Sequence, residues 1–117
     1  MQLAERKAGN VIVVMVTGDI TLNQGGDVLL KDKVYSLLQQ GHKHMLLDLG
    51  GVSVVDSAGL GELVQAYVTT KNRGGALKLL HVTKRLKDLL VVTKLLTVFD
   101  TFDNEPDALA SFGSAPA

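Results

Sequence analysis

The chain has 117 residues, 12 of them basic and 12 acidic, so its formal charge is zero. That length supports one domain, and 46% apolar residues with only 4% aromatics require an aliphatic core. A neutral total argues against an overall basic nucleic-acid binder, and the lack of Cys excludes a disulfide framework, a thiolate zinc site and a cysteine nucleophile.

Met1-Gln2-Leu3-Ala4-Glu5-Arg6-Lys7 is charged and lacks the apolar centre of a signal peptide. No apolar run reaches the roughly 18 residues of a membrane span. The expectation is a soluble, cytoplasmic protein with no membrane or direct nucleic-acid partner. Residues 3–8 read as a short first strand, joined through a Gly9-Asn10 hairpin turn to Val11-Ile12-Val13-Val14-Met15-Val16. The unbroken apolar run implies a strand covered on both faces. An uncovered second face that dimerises is the alternative, and ordinary core is the simpler expectation. Gly18-Asp19 ends that strand.

From Asp27 the period changes, and Leu30, Val34, Leu37 and Leu38 fall at helical spacing, with Gly41 as the C′ residue. A strand follows at 44–49, and Gly50-Gly51 opens the loop after it. Leu60, Leu63, Val64, Tyr67 and Val68 mark the next helix, with Ser57 as its N-cap and Arg73-Gly74-Gly75 as its close. Ala76–Val82 reads as a strand, Thr83 as a cap, and Leu86, Leu89 and Leu90 as a short helical stripe. Val98–Phe102 alternates as a last strand. Asn104-Glu105-Pro106-Asp107 opens a final helix carrying Ala108, Leu109 and Phe112, with Pro in the first turn where it breaks no intrahelical bond. The order β-β-α-β-α-β-α-β-α predicts a single α/β domain over residues 1–112. Its sheet is mixed and mostly parallel, of four to five strands with about four helices. Residues 113–117 read as a frayed tail.

Sites in such folds favour the loops at the carboxyl ends of strands. The loop that stands out runs from Gly50 through Val52-Ser53-Val54-Val55 to Asp56-Ser57-Ala58-Gly59-Leu60-Gly61. Ser57 is placed where the first turn of a helix leaves backbone N–H groups unpaired. Gly59 and Gly61 each cost a helix up to about 1 kcal/mol relative to Ala, and in return strip side chains from the surface around Ser57. Position alone is also met by a plain helix cap with glycines that permit tight packing.

Asp56-Ser57-Ala58-Gly59-Leu60-Gly61, after Met45–Leu49 and Val52–Val55, resembles the signature of the anti-sigma factor antagonist family, the STAS domain. Val14-Met15-Val16-Thr17-Gly18-Asp19-Ile20 is similar to that family's second strand and its Gly-acidic turn, and Phe99–Leu109 to its closing strand and helix. The resemblance implies a protein that acts by binding, with no catalytic role, cofactor or metal. Its partner would be an anti-sigma factor Ser/Thr kinase with a histidine-kinase-like ATP fold. Ser57 would be the phosphorylated residue, and Asp19, Thr21, Asn23, Asp56, Ser57, Ala58, Gly59, Leu60 and Gly61 the partner-binding set. Unphosphorylated, the chain would hold the kinase and release a sigma factor, so regulating transcription in a stress response; a PP2C-type phosphatase would reset it. A monomer or weak homodimer is implied. Four positions depart from the family pattern: Lys94 stands where Gly is frequent, Gly50-Gly51 replaces a stiffer pair, and Thr21 occupies a position where many members carry a carboxylate.

Two other readings differ in class: a constitutive STAS scaffold in a signalling or membrane-transport complex, and a small phosphate- or nucleotide-binding protein using the helix start at Ser57. The Ser57 flanks lack the Gly-x-Ser-x-Gly elbow of a hydrolase. Gly59-Leu60-Gly61-Glu62-Leu63-Val64 is a truncated dinucleotide fingerprint, and no P-loop ending exists. His42, His44 and His81 have no evident third ligand. Lys84, Arg85 and Lys87 read as a solvated face.

Overall fold

A computed structural model describes residues 2–21 and 26–113 of the chain, and side-chain burial from residue 29 in the second of these segments. Five strands and four helices alternate as β1 (Gln2–Ala8), β2 (Val11–Ile20), α1 (Gly26–Gln39), β3 (His44–Val55), α2 (Ser57–Asn72), β4 (Ala76–Leu80), α3 (Lys84–Val92), β5 (Thr101–Phe102) and α4 (Glu105–Ser111). The strands lie side by side in chain order, β1-β2-β3-β4-β5. Only the β1–β2 hairpin is antiparallel; the other pairs are parallel.

Alternation along β2 divides the core into two. Ile12, Val14 and Val16 point into the larger cluster with Leu30, Val34 and Leu37 of α1, Leu60, Leu63 and Ala66 of α2, and Leu86 and Leu90 of α3. Val11 and Val13 point to the other face, where Leu46, Leu80 and Ala108 of α4 complete a smaller cluster. The apolar run at 11–16 is therefore core on both sides, as its composition predicts. A helix on the far face accounts for it. Lys78 Nζ donates to the Ser111 carbonyl at 2.9 Å and to Ser111 Oγ at 3.1 Å, fixing the end of α4. Arg6 of β1 pairs with Glu105 at the start of α4.

Several boundaries differ from the sequence expectation. The strand expected at 44–49 runs on to Val55, so Gly50-Gly51 is strand and not loop. Between Met15 and Thr17, and again between Gly18 and Ile20, β3 carries one residue more than β2. Those bulges bend the extension without ending it. Gly51 is needed there because a Cβ would lie 2.8 Å from Thr17 Cγ2 and 3.2 Å from the Val16 carbonyl oxygen. The strand expected at 98–102 shrinks to Thr101–Phe102. Val98 and Phe99 instead turn back on Leu95 by hydrogen bonds, which seats the Phe99 ring edge-on to Tyr67 at 5.3 Å.

The buried stripe of α2 is rotated from the expected one. Ala66 and Thr70 are buried while Val68 is exposed. Thr70 is tolerated inside because its hydroxyl donates to the Ala66 carbonyl at 2.8 Å. Thr83 caps α3 as expected, accepting from the Leu86 N–H at 3.3 Å. Asn104 likewise caps α4 through the Asp107 N–H at 2.9 Å.

Candidate functional site

β3 delivers the chain to the carboxyl end of the parallel strands, where Asp56 turns it into α2. Asp56 holds an extended conformation (φ −90°, ψ −178°), and its Oδ1 accepts from the Gly59 N–H at 2.7 Å. Its carbonyl accepts from Leu60 N–H at 2.8 Å, and its own N–H donates to the Ile20 carbonyl at 3.4 Å. The N-cap is thus Asp56. Ser57, expected in that role, is the first helical residue instead.

The physical reason is chemical competition for one orphan donor. A carboxylate accepts a charge-assisted hydrogen bond, stronger than the one a neutral hydroxyl accepts. Relieved of capping, the Ser57 side chain is exposed, and among the described residues no hydrogen bond holds it. It stands in the first turn, on the positive end of the helix dipole.

The two glycines of this turn have different causes. Gly59 is buried, and a Cβ on it would lie 1.9 Å from the Ile20 carbonyl oxygen. It is glycine so that α2 can pack on the end of β2, which is the tight-packing account of the two that the sequence left open; it does not clear the surface around Ser57. Leu60, only 6% exposed, belongs to the core. Gly61 is exposed, with nothing within 4 Å of where its Cβ would be. Packing does not require that glycine, so it alone fits the surface-clearing reading.

Asp19 and Thr21, both half-buried, flank Ile20, whose carbonyl meets both Asp56 and Gly59. The end of β2 and the first turn of α2 therefore form one joint, with Gly18 in the left-handed region at φ +91° to turn β2 into it. Asn23 and the tail residues 114–117 lie outside the described residues.

Beside this joint lies a groove that sequence reasoning missed. Val52, Val55, Leu86, Leu89, Val92 and Arg85 are among the residues lining about 280 Å³ between the β3 extension and α3. Val92 at its edge is 79% exposed, and Val54 on the same extension 37%. The available signal was Val92, an apolar residue three positions after Leu89 and so on its side of α3, where Leu86 and Leu90 already supply the core stripe.

The remaining candidates separate spatially. His81 sits at the end of β4 with φ +56°, its Nδ1 3.1 Å from Asp48 Oδ1. His42 and His44 lie at the opposite end of the sheet, His42 in the loop before β3 and His44 as its first residue. Among the described residues no group of three His, Asp or Glu side chains is placed to hold a metal. Lys84, Arg85 and Lys87 are exposed on α3.

The model of the STAS domain family matches residues 2–108. The chain belongs to that family. The anti-sigma-B factor antagonist of Bacillus subtilis (strain 168) is 34% identical over 97 residues, covering 78% of this chain and 88% of that protein. Among solved structures, an anti-sigma factor antagonist from Mycobacterium paratuberculosis superposes with a TM-score of 0.82 at 19% identity, covering 95% of this chain and 92% of that one. The Bacillus cell fate determinant SpoIIAA in its phosphorylated form gives 0.71 at 14% identity, covering 94% and 98%. At those identities the structural matches establish the STAS fold, with its mixed five-stranded sheet and four helices.

Proposed function

We propose that this chain is an anti-sigma factor antagonist: it binds an anti-sigma factor Ser/Thr kinase while Ser57 is unmodified and is released when Ser57 is phosphorylated. The observation that carries the reading is the state of Ser57, exposed in the first turn of α2 while Asp56 does the capping. The anti-sigma-B factor antagonist relative supports the choice of partner class.

The electrostatics make such a switch self-consistent. A phosphate adds about −1.5 to −2 charge, and the N-terminus of a helix accommodates it in the free domain. Water screens its repulsion from Asp56 there. In a docked complex the same dianion would lose water beside Asp56 and the nucleotide phosphates of the kinase. A differential of about 2.8 kcal/mol lowers the affinity a hundredfold. No refolding is needed, and a PP2C-type phosphatase would restore the hydroxyl.

The docking set centres on Ser57, Ala58 and Gly61, with Asp19 and Thr21 alongside and the groove between Val55 and Val92 as its apolar flank. Gly59, Leu60 and the Asp56 cap shape that surface from beneath. Incubation with the kinase and ATP, followed by peptide mass spectrometry, tests the reading: one phosphate on Ser57 is expected. Phosphate on another residue, or none, overturns it.

A further inference from the structure

α3 presents two working sides. Leu86 and Leu90 are buried and hold it to the core. Arg85, Asp88, Leu89 and Val92 recur at i, i+3, i+4 and i+7, so they share a second side, which faces Val52 and Val55 across the groove of about 280 Å³. A dry apolar cavity of about 150 Å³ already accepts a six-carbon ring, so this one has room for any aliphatic side chain. Val92, at 79% exposure, is the most exposed large hydrophobic residue among those described. Its place at the groove's edge gives the core nothing and offers a partner apolar contact.

Position and charge select the occupant. Val55 lines the groove and Ser57 follows two residues later, at most about 7 Å along the chain. A standard interface covers about 800 Å² on each side, a disc of roughly 16 Å radius, so a protein seated over Ser57 reaches the groove as well. Between Lys84 and Lys94 the chain carries four bases, Lys84, Arg85, Lys87 and Lys94, against the single acid Asp88, although its total charge is zero. Among the described residues none of the four has an ion-pair partner. A covering surface without carboxylates would leave that charge desolvated and unanswered. Two copies of α3 brought together across a two-fold axis would oppose like charges, and a slot suits a protruding side chain better than the flat surface of a membrane.

On the kinase reading of Ser57, on which this depends, we propose that the groove is where the anti-sigma kinase takes hold: an aliphatic side chain of the kinase, set among carboxylates, enters between Val55 and Val92. The apolar contact is a buried anchor, and the basic residues of α3 steer the acidic surface around it. Neither depends on the state of Ser57. The groove therefore sets how tightly the kinase holds, and Ser57 sets when it lets go.

Calorimetric titration of the full chain and its variants with the anti-sigma kinase, alongside the kinetics of Ser57 phosphorylation, tests the contact. Val92→Ser should weaken binding about tenfold and raise KM for phosphorylation with kcat unchanged. Val91→Ser removes the same side chain one residue earlier on α3, outside the groove, and should alter neither. Arg85→Glu should weaken binding by a larger factor at low ionic strength than at high. Both valines are exposed, so circular dichroism should stay as in the parent. Parental affinity in Val92→Ser, an equal loss in Val91→Ser, or tighter binding by Arg85→Glu overturns the groove contact, while phosphate on Ser57 of the parent still upholds the switch. A parent that neither binds the kinase nor gains phosphate on Ser57 removes both. Sedimentation velocity of the chain alone and flotation with phosphatidylglycerol vesicles cover the other occupants: a dimer or a lipid-bound state that Val92→Ser abolishes assigns the groove to a second copy or to a membrane, and overturns the kinase contact.

Discussion

A methyl group at Gly59 would lie 1.9 Å from the Ile20 carbonyl oxygen, whereas one at Gly61 meets open space. The same substitution two residues apart therefore has opposite signs. Gly59→Ala must push α2 off β2 and is expected to cost about 3 kcal/mol in urea denaturation. Gly61→Ala relieves a helix of backbone entropy and should raise stability by about 0.5–1 kcal/mol. If Gly61 serves docking, the stabilised variant holds the kinase less tightly; unchanged affinity would assign it no part in the interface. Ser57→Asp places negative charge where the phosphate would go. It should abolish kinase binding while circular dichroism stays as in the parent, and retained affinity would count against the electrostatic switch. Asp56→Ala, by contrast, removes the cap and is expected to lower stability by about 1 kcal/mol.

Among the elements, α3 carries a visible defect at its exit. Lys94 follows the C-cap Thr93 with φ +61°, a left-handed conformation that favours glycine. Its N–H donates to Val91 at 3.1 Å and the next N–H to Leu90 at 2.8 Å, so the turn is closed despite the side chain. Lys94→Gly should raise the thermal midpoint, with a gain of about 0.5–1 kcal/mol; no gain would mean the strain is relieved elsewhere. This departure was legible in the sequence as a lysine where glycine is frequent, and the dihedral gives its physical content. The extent of β3 was not legible. Gly50-Gly51 carries the composition of a loop, and only the close approach of Thr17 and Val16 makes Gly51 a strand requirement there. The identity of the α2 cap was ambiguous because Asp56 and Ser57 are both good caps; the carboxylate is the stronger acceptor for the Gly59 N–H, and the Ile20 carbonyl holds the Asp56 backbone beside it.

For the molecule as a whole, two faces of one sheet are buried by unequal means. Three helices cover one side, and the other depends chiefly on α4. A chain ending at Asp103 would expose Val11, Val13, Leu46 and Leu80 together. Such a truncation should self-associate in sedimentation velocity and bind a hydrophobic dye, whereas a dye-silent monomer would show that α4 contributes little to covering that face. The element order and the two-sided burial of β2 were readable because aliphatic periodicity is strong in this chain. The nine residues proposed for docking were readable only as a segment. Which of them support the fold and which remain for a partner depends on contacts between β2 and α2, and no local pattern encodes those. The groove against α3 was hidden for the same reason.

The succession of strands has a consequence for synthesis. Because every strand lies next to the one made before it, a chain emerging from the ribosome always finds its neighbour already in place, and no earlier pair has to be parted to admit a later one. Closure waits on the last segment alone. Until α4 emerges, the aliphatic face formed by Val11, Val13, Leu46 and Leu80 stays wet.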